Sequence, residues 1–420
     1  WPLALLALAF QSGRLAQNFI LLEMEGGVSK LATYSLALSI FMPFHAAMVF
    51  LPQTYTILVQ DQKSFRVGIR FVAILIAGLL SILSLFAYSP VGIWLLPNIY
   101  QIPNESMDTL LQYLRWFMPQ LFFQGITAFI GGLFIQWHRT GAFTAVRICE
   151  VSALVGSLFF CVRMFEDPVF IIGLSRVLGW GASTMLALFL FYRLRRPFQP
   201  SEEDAANPAG LPQFSKLFFP MAITSLMFAL NRPILFYFVT RIPDITTEES
   251  EVMVSAITLG INFIMLFQSV GNQYRHVGAA FSKRDPQGSK RFLMQLTGLL
   301  VLLMALAIIS PFLRFFLVQM QNATGQVLAA ATSAILVMAP TPFLIGFRNY
   351  FHALAMVNRR TGIMGFAGLS RNLATLFCSM VLLQFGLLNV YTAAGIVITA
   401  FFAEAATVGI FGIKKLTTLQ

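Results

Sequence analysis

Charge is what this chain of 420 residues has least of. Asp, Glu, Lys and Arg together make up 11% of it, where a soluble domain carries about a quarter. That scarcity excludes an ordinary water-soluble domain and leaves a polytopic membrane protein. Cysteine is nearly as rare. Cys149, Cys161 and Cys378 each lie inside an apolar stretch, which argues against both a disulfide framework and a zinc site. The four histidines, His45, His138, His276 and His352, lie far apart and form no H-x-x-x-H or H-E-x-x-H pattern. His45 and His352 therefore read as packing or cavity groups, and no metal is expected. P-loop and G-x-S-x-G motifs are missing, as is a Cys/His pair of catalytic character. The chain is thus expected to hydrolyse no ATP, to bind no cofactor and not to be an enzyme. A membrane-embedded enzyme would have to use His45 or His352 as its base.

Apolar residues fill the space. They account for 57% of the chain, with mean hydropathy +0.76, and apolar runs of about 20 residues, enough to span a bilayer core of about 30 Å, recur throughout. Twelve spans are read near 2–22, 31–58, 71–96, 109–136, 142–163, 168–192, 214–240, 250–276, 291–317, 325–357, 361–384 and 388–413. The expected fold class is an all-α polytopic membrane protein of twelve transmembrane helices in two pseudo-symmetric six-helix bundles. The chain begins at Trp1 rather than Met, so residues are expected before it. Its first run lacks a cleavage pattern and is read as a span.

The net charge of +11 raises the possibility of a nucleic-acid partner, but the connections between spans give a simpler cause. They alternate in character. One set carries 18 Lys and Arg, among them Lys63, Arg66, Arg139, Arg147, Arg195, Arg196, Lys283, Arg284, Arg359 and Arg360. The other set carries four, Lys30, Arg163, Arg241 and Arg314, and most of the acids. This is the positive-inside bias. It places both termini in the cytoplasm, in a plasma or bacterial inner membrane. No nucleic acid is expected as a partner, the lipid bilayer is, and the protein is expected to act as a monomer.

The stretch "RLRRPFQPSEEDAANPAGLPQ" at 193–213 has the Pro, acid and small-residue content of a flexible linker. It divides the chain into an N-terminal six-helix lobe at 1–195, a cytoplasmic linker at 196–213 and a C-terminal six-helix lobe at 214–420. The lobes repeat. At an offset of 221, Ser89-Pro90 meets Ser310-Pro311, Pro119 meets Pro340, Gly125 meets Gly346, and Arg139-Thr140-Gly141 meets Arg360-Thr361-Gly362. Near the start of the chain the offset is 218, where Pro2 meets Pro220 and Arg14 meets Arg232. Six spans per lobe keep one orientation, so the repeat is parallel, an arrangement that suits a transporter with a cavity between its lobes.

Six arginines fall within spans: Arg14, Arg115, Arg176, Arg232, Arg348 and Arg371. The acids within spans are Glu150 and Glu404. A charge at mid-span costs about 2.5–3.5 kcal/mol even on lenient scales, so each of these residues must face protein or water. Arg115, near a span end, is expected to snorkel. Arg176 is expected to pair with Glu150 and Arg371 with Glu404, as structural or coupling ion pairs. That assignment uses both acids and directs Arg14, Arg232 and Arg348 toward a cargo. Gln11, Gln17 and Asn18 extend a polar stripe around Arg14. Asn231 adjoins Arg232, Asn349 adjoins Arg348, and Gln273 lies in the eighth span among other amides. The expected substrate-binding set is Arg14, Arg232, Arg348, Asn18, Asn231, Asn349, Gln11 and Gln273. Guanidinium groups bind carboxylate and phosphate in a two-pronged fashion and keep their charge, so a small anion is the expected cargo. Pro43, Pro52, Pro119, Pro220, Pro233, Pro340 and Pro342 within spans are expected to bend them.

Three features together resemble the progressive ankylosis (ANKH) family of the MOP superfamily, which also holds MATE exporters and lipid-linked-sugar flippases. They are "LATYSLALS" at 31–39, the series from Phe218 to Arg241 that contains "NRPILFYFVTR", and the order Arg348, Arg359-Arg360, Arg371, Glu404. The resemblance implies twelve spans in two lobes, alternating access, and export of organic anions such as citrate, with links to nucleoside triphosphate and pyrophosphate release. A MATE exporter of cationic drugs would typically carry a carboxylate in its first span, where this chain has Arg14 and no acid from Trp1 to Leu22. A flippase for an anionic lipid-linked precursor remains the main alternative, because it too requires a basic cavity.

Overall fold

The computed structural model describes residues 2–101, 104–194, 209–272, 274–275, 278, 285–357 and 362–416. Gln273, His276, Lys283, Arg284, Arg359, Arg360 and most of the 196–213 linker, with Arg195 and Arg196, lie outside the described residues. The helices in order are α1 (Pro2–Glu23), α2 (Gly27–Ala47), α3 (Leu51–Leu58), α4 (Gln62–Tyr88), α5 (Pro90–Tyr100), α6 (Asn104–Gln136), α7 (Thr140–Met164) and α8 (Pro168–Leu194). They continue with α9 (Leu211–Val239), α10 (Thr247–Asn272), α11 (Pro286–Ile309), α12 (Phe312–Phe315) and a π-helical turn over Phe316–Met320. The last four are α13 (Gly325–Met338), α14 (Thr341–Val357), α15 (Gly362–Gln384) and α16 (Val390–Leu416).

Ten stretches among the described residues are long and apolar enough to cross a membrane, and the bent pair α13–α14 makes an eleventh. With α1, helical over Pro2–Glu23, these account for the twelve spans expected from the sequence. The chain is an integral, multi-pass, all-α membrane protein. Side chains such as Ile82, Phe160, Leu302 and Ile309 are exposed on its helices, as contact with lipid requires.

The repeat is visible as shared local geometry. Ser89 ends α4 in extended conformation, and its Oγ accepts from the Val91 amide at 3.2 Å. Ser310 ends α11 in the same way, and its Oγ accepts from the Phe312 amide at 3.3 Å. In each case the following proline disfavours helix at the residue before it and supplies no amide proton, so the span breaks. Tyr55 donates its hydroxyl proton to the Gly68 carbonyl at 3.1 Å, and Tyr274 does the same to the Ser289 carbonyl at 3.2 Å. A Cβ on Gly125 would collide with the Ile76 side chain, and one on Gly346 with that of Thr297, so both halves make the same close helix crossing. One difference follows from proline content. α6 runs unbroken through Pro119, whereas its counterpart breaks into α13 and α14, bent by 44°. There Pro340 is joined by Pro342, and two amide donors are lost within three residues.

The chain forms two compact units. One comprises Trp1–Leu36, Ile99–Pro103 and Met227–Gln420, and the other comprises Ala37–Asn98 and Asn104–Leu226. The lobes at 1–195 and 214–420 describe the sequence repeat, while the units describe packing. α1 packs in the unit that holds residues 227–420. Gln321, fully buried just after the π turn, fastens it there. The Gln321 Nε2 donates to the Leu15 carbonyl at 3.2 Å, and its Oε1 accepts from Asn18 Nδ2 at 3.3 Å.

Candidate functional site

Within the first unit, Arg14 of α1 and Arg232 of α9 come close enough for their guanidinium groups to repel each other. Two residues that match across the repeat thus come within electrostatic reach of each other. Arg232 Nη2 donates to Thr258 Oγ1 of α10 at 2.7 Å, and the guanidinium lies 5.2 Å from the centre of the Phe236 ring. Its Nε has no hydrogen-bond partner. Among the described residues Arg232 makes no ion pair. Tyr34 of α2 lies within electrostatic reach of Arg232, and its hydroxyl donates to Gln17 Oε1 at 2.7 Å. Gln11 and Gln17 are buried on the same helix face as Arg14, and Gln11 Oε1 and Gln17 Nε2 have no hydrogen-bond partner. Buried polar atoms are rarely left in that state, so this corner has hydrogen-bonding capacity in hand as well as positive charge.

Arg348 is not part of it. The one-acid, one-arginine assignment made from the sequence gives Glu404 to Arg371 alone, but here the Glu404 carboxylate serves both arginines, each of which donates to Oε2. Arg348 Nη1 and Arg371 Nη1 each stand 3.4 Å from Glu404, and Glu404 is fully buried. Arg348 Nη2 also donates to Asn272 Oδ1 at 2.6 Å and to Asn349 Oδ1 at 3.1 Å. Asn349 Nδ2 donates to the Gly271 carbonyl at 2.9 Å, which ties α14 to α10. The Phe401 ring lies against both guanidinium groups, 4.2 Å from Arg371 and 5.8 Å from Arg348. His352 Nε2 is 3.8 Å from Glu404, and neither ring nitrogen of His352 has a hydrogen-bond partner. Asn231 also faces this cluster rather than the cargo corner. It accepts from Arg371 Nη2 at 3.3 Å and donates to Thr375 Oγ1.

The second unit holds the other intramembrane acid. Glu150 takes Arg147 at 2.8 Å, three residues earlier on α7. The sequence reading counted Arg147 as a loop charge, yet the i,i+3 spacing to Glu150 was there to be seen. Arg176 interacts with Glu150 electrostatically, but its hydrogen bond runs from Nε to Gln120 Oε1 at 2.9 Å, and it lies 4.7 Å from the Phe117 ring centre. The expected Arg176–Glu150 pair is therefore a three-residue group with Arg147 as the close partner. His45 Nδ1 is 2.8 Å from Gln124 Oε1, a packing contact between α2 and α6. Arg115 is exposed near the start of α6. Its Nε donates to the Ala87 carbonyl at 3.1 Å, at the end of α4 where the break at Ser89 removes helical donors, and its guanidinium covers Tyr88 at 4.8 Å.

Residues that the sequence did not single out for the site are Tyr34, Thr258 and Gln321. Each is an uncharged polar residue, and only folding reveals that Tyr34 and Thr258 lie near Arg232 and that Gln321 meets Asn18. A cleft of about 720 Å³ in the first unit, lined by Asp244, Glu249, Gln326, Ser333, Asn389 and Tyr391 among others, carries acidic groups and has the wrong sign for an anion.

No protein-family model and no curated protein sequence matches the chain. Solved structures do. A MOP superfamily transporter from Pyrococcus furiosus superposes with TM-score 0.67 at 13% identity, covering 100% of this chain and 95% of that one. A eukaryotic MATE transporter gives TM-score 0.71 at 10% identity, covering 98% and 94%. The lipid II flippase MurJ, in an inward closed conformation, gives 0.69 at 14% identity, covering 98% and 87%. The chain shares its fold with these transporters and with the MurJ flippase. The progressive ankylosis likeness rests on the sequence residues alone.

Proposed function

We propose that the protein is an alternating-access transporter that exports small organic or phosphorylated anions, with Arg14 and Arg232 as the clamp on the cargo. One observation carries this reading. Two like-charged guanidinium groups at matching positions of the repeat come within electrostatic reach of each other, and the face of α1 that carries Arg14 also carries buried amide atoms without partners; an anion would relieve both the repulsion and the unmet hydrogen bonding. The P. furiosus MOP transporter is described as having a binding pocket of reversed polarity that suggests a different function, which supports the idea that this fold tolerates pockets of differing charge. Both termini are assigned to the cytoplasm on the loop charge bias. Citrate, ATP and pyrophosphate are the cargoes to try first.

The test is efflux and uptake in proteoliposomes with that panel of anions. Arg232→Ala is expected to lower citrate or pyrophosphate transport about 10- to 100-fold, the equivalent of one charge-assisted hydrogen bond, while the protein still inserts. Unchanged transport would sink the clamp. A flippase for an anionic lipid-linked precursor is the second reading, supported by the likeness to MurJ. It is favoured if the purified protein moves no soluble anion yet moves a fluorescent anionic lipid between leaflets.

A further inference from the structure

Asn231 and Arg232 are sequence neighbours with different surroundings, and their junction sits where α9 cannot hold itself. Pro233 has no amide proton, so the Ala229 carbonyl one turn earlier receives no helical bond from it. α15 supplies ties at this point instead. Asn372 Nδ2 donates to the Met227 carbonyl at 2.7 Å, Asn231 Nδ2 donates to Thr375 Oγ1, and Arg371 Nη2 donates to Asn231 Oδ1 at 3.3 Å. Arg371 is fixed in turn by Glu404 at 3.4 Å and by the Phe401 ring at 4.2 Å, both from α16. Glu404 is anchored from α14 by Arg348, which Asn272 holds at 2.6 Å. A continuous line of buried polar contacts therefore runs from α14 through α16 and α15 to the residue before Arg232.

We propose that Glu404 is a positioning residue for Arg232, acting through Arg371 and Asn231 without touching the cargo. Successive residues on a helix are locked about 100° apart, so whatever sets the direction of Asn231 sets that of Arg232. This rests on reading Arg232 as an anion contact. It assigns the Glu404 cluster to the aim of the clamp rather than to ion coupling.

The test uses the full chain in detergent, with citrate and pyrophosphate as probes, binding measured by calorimetry, flux measured in liposomes, and thermal unfolding followed alongside. Asn231→Ser and Glu404→Asp are each made in the native chain and in Arg232→Lys. In the native chain each is expected to weaken binding about tenfold, with maximal flux at saturating anion kept within about twofold; in Arg232→Lys each is expected to change binding by less than about twofold, because linked residues do not add. Equal weakening in both backgrounds overturns the relay. So does a Glu404→Asp protein that keeps its affinity but loses the response to a pH gradient. If Glu404→Asp does not fold, Asn231→Ser alone decides. Should Arg232→Lys leave the binding of both probes unchanged, the clamp itself fails, and that outcome is distinct from failure of the relay.

Discussion

Gly125 and Gly346, 221 residues apart, stand at the same helix crossing in the two halves; Glu150 and Arg371, also 221 apart, carry opposite charge. The pattern extends around them. Ser89 and Ser310 break their spans in the same way, and Tyr55 and Tyr274 make the same hydrogen bond. Apart from Arg14 and Arg232, the interior charges are not shared. Arg348 corresponds to Thr127, which meets Thr184 at 2.9 Å, and Glu404 corresponds to Ser183, which bonds the carbonyl of Trp180 in its own helix. The two halves have kept the contacts that fix backbone geometry and have diverged in interior charge.

Substitutions at three kinds of position should separate the two halves to different degrees. The largest effect is expected at Glu404. Glu404→Gln leaves Arg348 and Arg371 buried without their counter-ion, a loss of about 3–5 kcal/mol for a buried pair. Glu150→Gln, where the partner Arg147 is 14% exposed and can reach water, should cost about 1–3 kcal/mol. Thermal unfolding in one detergent measures both, and equal losses would remove the asymmetry. At the next level the halves should agree. Gly125→Ala and Gly346→Ala each press a methyl group into a facing side chain and should each cost about 1–3 kcal/mol. If one is silent, the shared crossing is not equally tight in the two halves.

The smallest effect concerns helix caps outside the membrane. Asp61 Oδ1 accepts from the Ser64 amide at 2.7 Å at the start of α4, and Asp285 Oδ1 accepts from the Gly288 amide at 2.8 Å at the start of α11. Replacing either with Ala should cost about 1 kcal/mol. Partial burial pushes the Asp61 carboxyl up, but hydrogen bonds from the Ser64 side chain and backbone outweigh it and leave the pKa below its ordinary value. The sign follows from linkage: a depressed folded-state pKa adds stability above the unfolded value of about 4, and that stability is lost as pH falls through the folded pKa. The Asp61→Ala penalty should therefore be full at pH 7 and fade on acidification toward pH 3. A penalty that grows on acidification would contradict the cap.

Much of the fold could be read from the chain, because spans are set by local composition and the repeat by spacing. The breaks at Ser89 and Ser310 follow from the prolines after them, and the bend before α14 from Pro340 and Pro342. The candidate site was legible in part. Arg14 and Arg232 were matched by offset before they were seen to come within electrostatic reach of each other. Arg348 and Asn231 were misplaced because the number of acids inside spans says how much charge can be balanced, but not which arginines share it. Arg147 was counted with the loop charges although the span read at 142–163 already contains it, one turn before Glu150.

Sequence alone determined that this is a multi-pass helical membrane protein, built as a parallel repeat and rich in interior arginine. Those properties are sums over residues or fixed separations along the chain, and a bilayer admits few other ways to satisfy them. Tertiary structure decided that Arg14 comes within electrostatic reach of Arg232, and that one carboxylate at Glu404 holds Arg348 and Arg371 together. An ion pair depends on distances of a few ångströms between side chains that here lie 33 and 56 residues apart, and helix packing sets those distances.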